Sequence, residues 1–240
     1  MKKVIAIHQP DYIPWLGFYY KMAHCDTFVY LDDAQYSNEA DHNVNVIKTS
    51  QGAYRLKIPV KQHLGDLICN VRTKDELKWK DKHLKTIAMN YCRAPFFDQF
   101  FSNYEKIIRK EYRSIADLNM EVNRYICEGF GICPNIIKSS DMQIHSAKEQ
   151  RVIDICIRAG GDTYLSGTGA RVYQQEEHFI NQGLRLEYID YKPISYRQLW
   201  PKVGFMPNMS VIDFIFNCGF DWEYVEKQVK ELNNGNREFY

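Results

Sequence analysis

The 240-residue sequence holds no run approaching the roughly 18 consecutive apolar residues of a membrane-spanning helix, which predicts a chain without a transmembrane segment. Lys2 and Lys3 precede an apolar run, Val4-Ile-Ala-Ile7, but His8 and Gln9 end it too early for a secretory signal. None of the seven cysteines (25, 69, 92, 127, 133, 156 and 218) forms a C-x-x-C pair, so neither a zinc ribbon nor a dithiol redox motif is expected. Scattered thiols in odd number, without a signal, fit reduced cysteines and a cytoplasmic chain. Excess charge is missing as well. With 31 Lys and Arg against 30 Asp and Glu, the net charge of +1 removes the electrostatic argument for nucleic acid as a bulk partner. There is no internal repeat and no low-complexity block. No contiguous metal-ligand motif is present, so no metal is assigned, although His8, Asp32 and His83 are the set that could meet as ligands. The sequence names no cofactor.

What remains is an ordinary globular composition, 45% hydrophobic and 25% charged, with a high share of aromatics at 14%. The 17 tyrosines suit a carbohydrate- or nucleotide-facing surface, but packing is the plainer role for most of them.

The most informative stretch is the first thirty-odd residues. Val4 to Ile7 reads as a strand buried on both faces. Pro10 and Pro14 bracket a turn, and Pro14 can open a helix carrying Trp15, Leu16, Phe18, Tyr19 and Met22. Thr27-Phe-Val-Tyr-Leu31 is a second strand, followed by Asp32 and Asp33. Strand, helix and strand make a βαβ unit whose loops open on one sheet edge, where such sheets bind ligands. His8 and Asp32 are therefore expected near one another. Turn capping by His8 and Gln9, with solvated Asp32 and Asp33, is the structural alternative.

Ser37 to Gly52 is polar and reads as a long loop, ahead of a strand over Tyr54 to Val60. Helices follow over Asp75–Tyr91, Phe96–Lys110 and Ser114–Phe130, the last with a capping pattern at Ser114 and Asp117. Asn135 to Lys138 is a short strand, and Lys148 to Ala159 an amphipathic helix. Thr163-Tyr-Leu-Ser166-Gly-Thr-Gly169-Ala-Arg171 runs from strand through a glycine turn into a helix reaching about Asn181. Backbone N–H groups at such a turn suit phosphate, with Ser166, Gly167, Thr168, Gly169 and Arg171 as contacts; many such turns are merely tight. Leu184 to Asp190 is another strand, Tyr196 to Asn208 a loop, and Ser210 with Asp213 resembles a capping box. The expected fold is α/β, a mostly parallel Rossmann-like sheet in one domain over 1–240, with a helical insertion at about 75–130.

His8-Gln-Pro-Asp-Tyr-Ile-Pro-Trp-Leu-Gly-Phe18, Asp26-Thr-Phe-Val29 and Leu31-Asp-Asp-Ala-Gln-Tyr36 together resemble the signature of the WbqC-like family. The likeness continues, with gaps, to Gly219. It implies a role in bacterial O-antigen or other surface-polysaccharide biosynthesis. The implied enzyme is a transferase moving a glycyl-type aminoacyl or an acyl group from a donor to a nucleotide- or lipid-linked amino sugar. A lipid-linked acceptor would bring a cytoplasmic protein to the inner face of the membrane. The resemblance implies His8, Asp32 and His83 as catalytic residues, His8 as general base with Asp32 orienting it or binding the acceptor. Gln9, Tyr12, Trp15, Asp33, Asn45 and Lys48 are implied to bind substrate, beside the turn at Ser166. Where the family carries Asn-Arg-Asn, this chain has Asn43-Val44-Asn45, so Val44 removes an arginine clamp. Asn119 also matches the family, either as a structural residue or as one looking into the site. A half-buried His83 beside Trp79, one helical turn apart, is the structural alternative for that histidine. The first βαβ unit is also distantly similar to nucleotidyltransferases with a His-x-Gly-His loop, but Trp15 and Phe18 stand at the two histidine places. A non-catalytic glycan- or nucleotide-binding protein is the remaining class.

Overall fold

The computed structural model describes residues 2–235. The chain runs β1 (Val4–His8), α1 (Leu16–Ala23), β2 (Thr27–Tyr30), β3 (Val44–Thr49), β4 (Gly52–Lys57), β5 (Val60–Lys61) and β6 (Arg72–Thr73). It continues through α2 (Trp79–Tyr91), α3 (Phe97–Arg109), α4 (Ile115–Phe130), β7 (Asn135–Lys138), α5 (Lys148–Arg158) and β8 (Thr163–Ser166). It closes with α6 (Glu176–Ile180), β9 (Arg185–Tyr188), α7 (Val211–Cys218) and α8 (Trp222–Gly235).

Five strands form one all-parallel sheet in the order β7-β2-β1-β8-β9. The chain starts in the middle, builds outward through β2 to β7, then crosses back over β1 to lay down β8 and β9. This is the doubly wound Rossmann-like arrangement, and its switch point lies between β1 and β8. The continuous apolar runs are explained by burial on both faces. Ile5, Ile7, Val29 and Tyr164 pack with Ile153, Cys156 and Phe179 of α5 and α6. Ala6, Phe28, Tyr30 and Leu165 belong to the other core, with α1, α4 and α7. Gly161 belongs to this packing, since a Cβ there would stand 2.2 Å from Ile5 Cγ1.

The segment between β2 and β7 holds the three helices α2 to α4, and their apolar faces enter the same core as α1. Several local expectations change. Residues 44–49, read as loop, are β3, paired antiparallel with β4 over its whole length. The predicted helix from Asp75 is broken. Asp75–Leu77 is a 3-10 turn, Lys78 takes a left-handed φ of 48°, and the α-helix begins only at Trp79. After β8 there is a 3-10 turn over Thr168–Val172 and then the five-residue α6, not one helix. Ser114 does cap α4, its Oγ accepting from Asp117 N at 3.1 Å. Ser210 caps nothing; its Oγ donates instead to the Ile13 carbonyl at 2.7 Å. Among the described residues no helix is long and apolar enough to cross a membrane.

Candidate active site at the sheet switch point

The loop from Gln9 to Pro14 is the element around which the site is built. Its five carbonyls from Pro10 to Pro14 are each bonded by a different residue. Asn119 Nδ2 donates to the Pro10 carbonyl at 2.7 Å, and Asn123 Nδ2 to that of Asp11 at 3.0 Å. Asn45 Nδ2 donates to the Tyr12 carbonyl at 3.0 Å, Ser210 Oγ to Ile13, and the Val211 amide to Pro14 at 3.0 Å. Buried carbonyls need such partners, and here α4, β3 and α7 supply them. Ile13 is held at φ 37°, an unfavourable conformation for a β-branched residue that only an over-determined setting maintains.

His8 ends β1 where this loop begins, and Asp11 lies within it. His8 Nδ1 donates to the Gln9 carbonyl at 3.1 Å and lies 3.4 Å from Asp11 Oδ2. With Nδ1 committed as the donor, Nε2 is left with its lone pair. The ring packs edge-on against Phe18 with centroids 4.9 Å apart. Protein surrounds it densely, yet 36% of its side-chain surface still faces water. Burial and the nearby Lys21 ammonium lower its pKa to about 4, so it is neutral at pH 7. Lys21 is itself buried on α1; its Nζ donates to the Ile7 carbonyl at 3.0 Å and burial lowers its pKa to about 8. Among the described residues no carboxylate lies within ion-pair distance of it.

His8, Trp15, Lys21, Gly167, Thr168 and Tyr191 line a cleft of about 140 Å³ between the carboxyl ends of β1 and β8. Trp15 folds back over its own helix, and Gly17 makes that possible: a Cβ there would meet the indole at 2.3 Å. The Trp15 ring then meets Tyr191 edge-on at 5.1 Å. Across the cleft, the space before Gly167 and Gly169 is open, so backbone alone faces a ligand there. Ser166 Oγ is buried at the end of β8 without a hydrogen-bond partner. Arg171 lies outward, its guanidinium 4.6 Å from the Tyr188 ring centroid. A roomier cavity of about 510 Å³ lies elsewhere, between α4 and β7. Its rim charges Arg124, Glu121 and Glu128 pair with one another, leaving little for a ligand, so the smaller cleft is the better candidate.

The structure separates several residues that the sequence groups together. Asp32 does not orient His8. Its carboxylate accepts from Ser140 N at 3.0 Å and Ser140 Oγ at 2.7 Å, tying β2 to the turn after β7, and Asp11 takes the position beside His8. Asp33 is engaged by Ser139 and by Arg151 Nη2 at 2.5 Å. His83 lies behind the loop, its Nε2 against Tyr12 Oη at 2.5 Å and Tyr104 Oη at 3.2 Å. Tyr12 is thereby fully buried and unavailable to substrate. His8, Asp32 and His83 thus have separate partners and form no metal cluster; among the described residues none of three or more such ligands is gathered. Asn45 holds the loop. Lys48 is buried, its Nζ donating to the Gly204 carbonyl at 2.6 Å and Gln198 Oε1 at 3.2 Å. Gln198 and Tyr196 in turn bond Asp213, whose carboxyl is pushed upward by burial.

Asp11 and Lys21 are not among the residues expected from the sequence, although each carries a signal there. Asp11 stands three residues after His8, and Lys21 lies four residues from Gly17, on the helix face that borders the cleft.

A doubly wound α/β protein, with a neutral histidine, a carboxylate and a buried lysine at its ligand-binding edge, is the class defined by this geometry. The WbqC-like protein family model matches residues 9–223, and the chain belongs to that family. It is 34% identical over 223 residues to the uncharacterized protein Rv1507c of Mycobacterium tuberculosis, an alignment covering 91% of this chain and 95% of that protein.

Proposed function

We propose that the β1–β8 cleft catalyses transfer of an aminoacyl or acyl group to the amine of a nucleotide- or lipid-linked sugar in surface-polysaccharide assembly. The observation that carries this reading is the His8 arrangement, with Nδ1 held by Gln9 and Asp11 and Nε2 left to accept a proton. In that reaction the acceptor nitrogen attacks the acyl carbon of the donor, and its proton passes to His8 Nε2. Asp11 steadies the imidazolium as it forms. The Lys21 ammonium offsets charge on the tetrahedral oxyanion, which collapses as the donor's leaving group departs with the proton from His8. The cleft is smaller than the few hundred Å³ of a site enclosing a whole drug-sized ligand. It therefore takes the reacting end of the sugar, while the exposed Thr168–Gly169 turn meets the linking phosphate.

Purified protein incubated with nucleotide-linked amino sugars and acyl-CoA, ATP plus glycine, or glycyl-tRNA should yield a sugar heavier by the transferred group, read by mass spectrometry. His8→Ala should slow turnover by about 100-fold or more while leaving the fold intact, and Lys21→Met should also slow it. Full activity in folded His8→Ala would reject the assignment. The second reading is nucleotidyl transfer, favoured by the strand order and the cleft at the switch point. A nucleotide joined to the sugar in the same assay would select it.

A further inference from the structure

A groove of about 400 Å³ runs between β4 and α2, lined by Tyr54, Arg55, Lys57, Lys82, His83 and Thr86 among others, and it is not part of the cleft at His8. Its charge is one-sided. Among the described residues that line it there is no carboxylate, and none of its three cations forms an ion pair. The acids nearby in sequence are taken: Glu76 pairs with Lys61, Asp75 with Lys80 and Asp81 with Arg109. Asp41 feels the charge of Arg55 without an ion-pair contact. Three unpaired cations around one concavity repel one another, and a bound anion would relieve that repulsion. Beneath them, His83 is buried with Nδ1 unpartnered. Because Nε2 meets the Tyr12 and Tyr104 hydroxyls, the tautomer in which Nε2 accepts leaves Nδ1–H as a donor lacking an acceptor. A groove that combines unpaired cations with an unused buried donor is matched to a multiply charged oxyanion.

We propose that this groove is a second binding site for a phosphate-bearing small molecule, linked to the catalytic loop through His83 and Tyr12. The link is short: Tyr12 belongs to the loop that follows His8 and contains Asp11, and its hydroxyl rests on His83 Nε2. Nδ1 is itself buried, so an anion reaches it only as the His83 ring shifts, and that shift changes what holds the loop.

Isothermal titration with inorganic pyrophosphate, in low and high salt, tests the site. The wild-type protein should bind it, more weakly as salt rises. Arg55, Lys57 and Lys82 are exposed, so Arg55→Ala with Lys82→Ala should fold normally and weaken binding by roughly tenfold or more. His8→Ala, in the other cleft, removes none of the groove's cations and should still bind pyrophosphate. NMR should show the His8 ring signals shifting as pyrophosphate binds wild type, and not in His83→Gln. No binding in wild type, or affinity lost on His8→Ala but kept without Arg55 and Lys82, would overturn the site. Binding that leaves the His8 signals unmoved would overturn its link to the loop. Repeating the titration with UDP separates sources of the anion: tighter binding than pyrophosphate assigns the groove to a nucleotide, equal binding to phosphate alone.

Discussion

Replacing Asn119 by Ala tests whether the Gln9–Pro14 loop is held from outside by distant side chains. Asn119 is fully buried, and its Nδ2 donates both protons, to Pro10 O at 2.7 Å and His42 O at 2.7 Å. Truncation leaves two buried carbonyls without that donor, each costing about 1–3 kcal/mol. Its Oδ1 already lacks a partner, so removing that unsatisfied acceptor returns part of the cost. The net loss should be about 2–4 kcal/mol, read as a lower urea midpoint at unchanged slope. The damage should also reach the site, because Pro10 and His42 flank Asp11: the His8–Asp11 contact loosens and turnover falls in the folded protein. A loss below about 0.5 kcal/mol, or full stability with full activity, would show that the loop does not depend on Asn119, since such a value is usual for an uninvolved surface position.

Acid should begin to destabilise the protein just below pH 6.5. His8 falls to about 4 and His83 to about 3 in the folded state, against 6.5 when unperturbed, so below 6.5 the unfolded chain binds more protons. Stability should therefore decline as pH falls through 6.5 towards 4, and His83→Gln should flatten that slope in thermal melts taken at pH 7, 5 and 4. Equal slopes would show that His83 is not held neutral. Gly17→Ala should leave α1 helical but expel the Trp15 indole from its place 2.3 Å from the new methyl, changing tryptophan fluorescence and impairing substrate binding. Unchanged emission and turnover would mean that the Trp15 position does not matter to the cleft.

Much of the scaffold is determined by the sequence alone. Val4–Ile7 and Thr27–Leu31 announce strands buried on both faces, because a parallel sheet covered by helices needs apolar side chains on each side. Helical spacing announces α2 to α5 within a few residues of their ends. Strand, helix and strand around His8 also put that residue at the ligand edge, since a βαβ unit leaves little other choice. Local pattern suffices there because backbone pairing and apolar periodicity are short-range signals. It failed at residues 44–49, where polar neighbours masked a strand that burial against the loop requires.

Tertiary structure decided which polar residue does what. Asp32 and Asp11 are both acids close in sequence to an expected strand end, and only the fold gives one to Ser139 and Ser140 and the other to His8. Asn45 and Asn119 match the family pattern equally well as ligand binders or as struts, and Ser210 reads as a cap; all three are struts because buried loop carbonyls accept from them. Ser210 reaches Ile13 across 197 positions of sequence. A hydrogen-bond partner is chosen by distance in space and by the cost of leaving a buried group unmet, and neither quantity is written in the order of the residues.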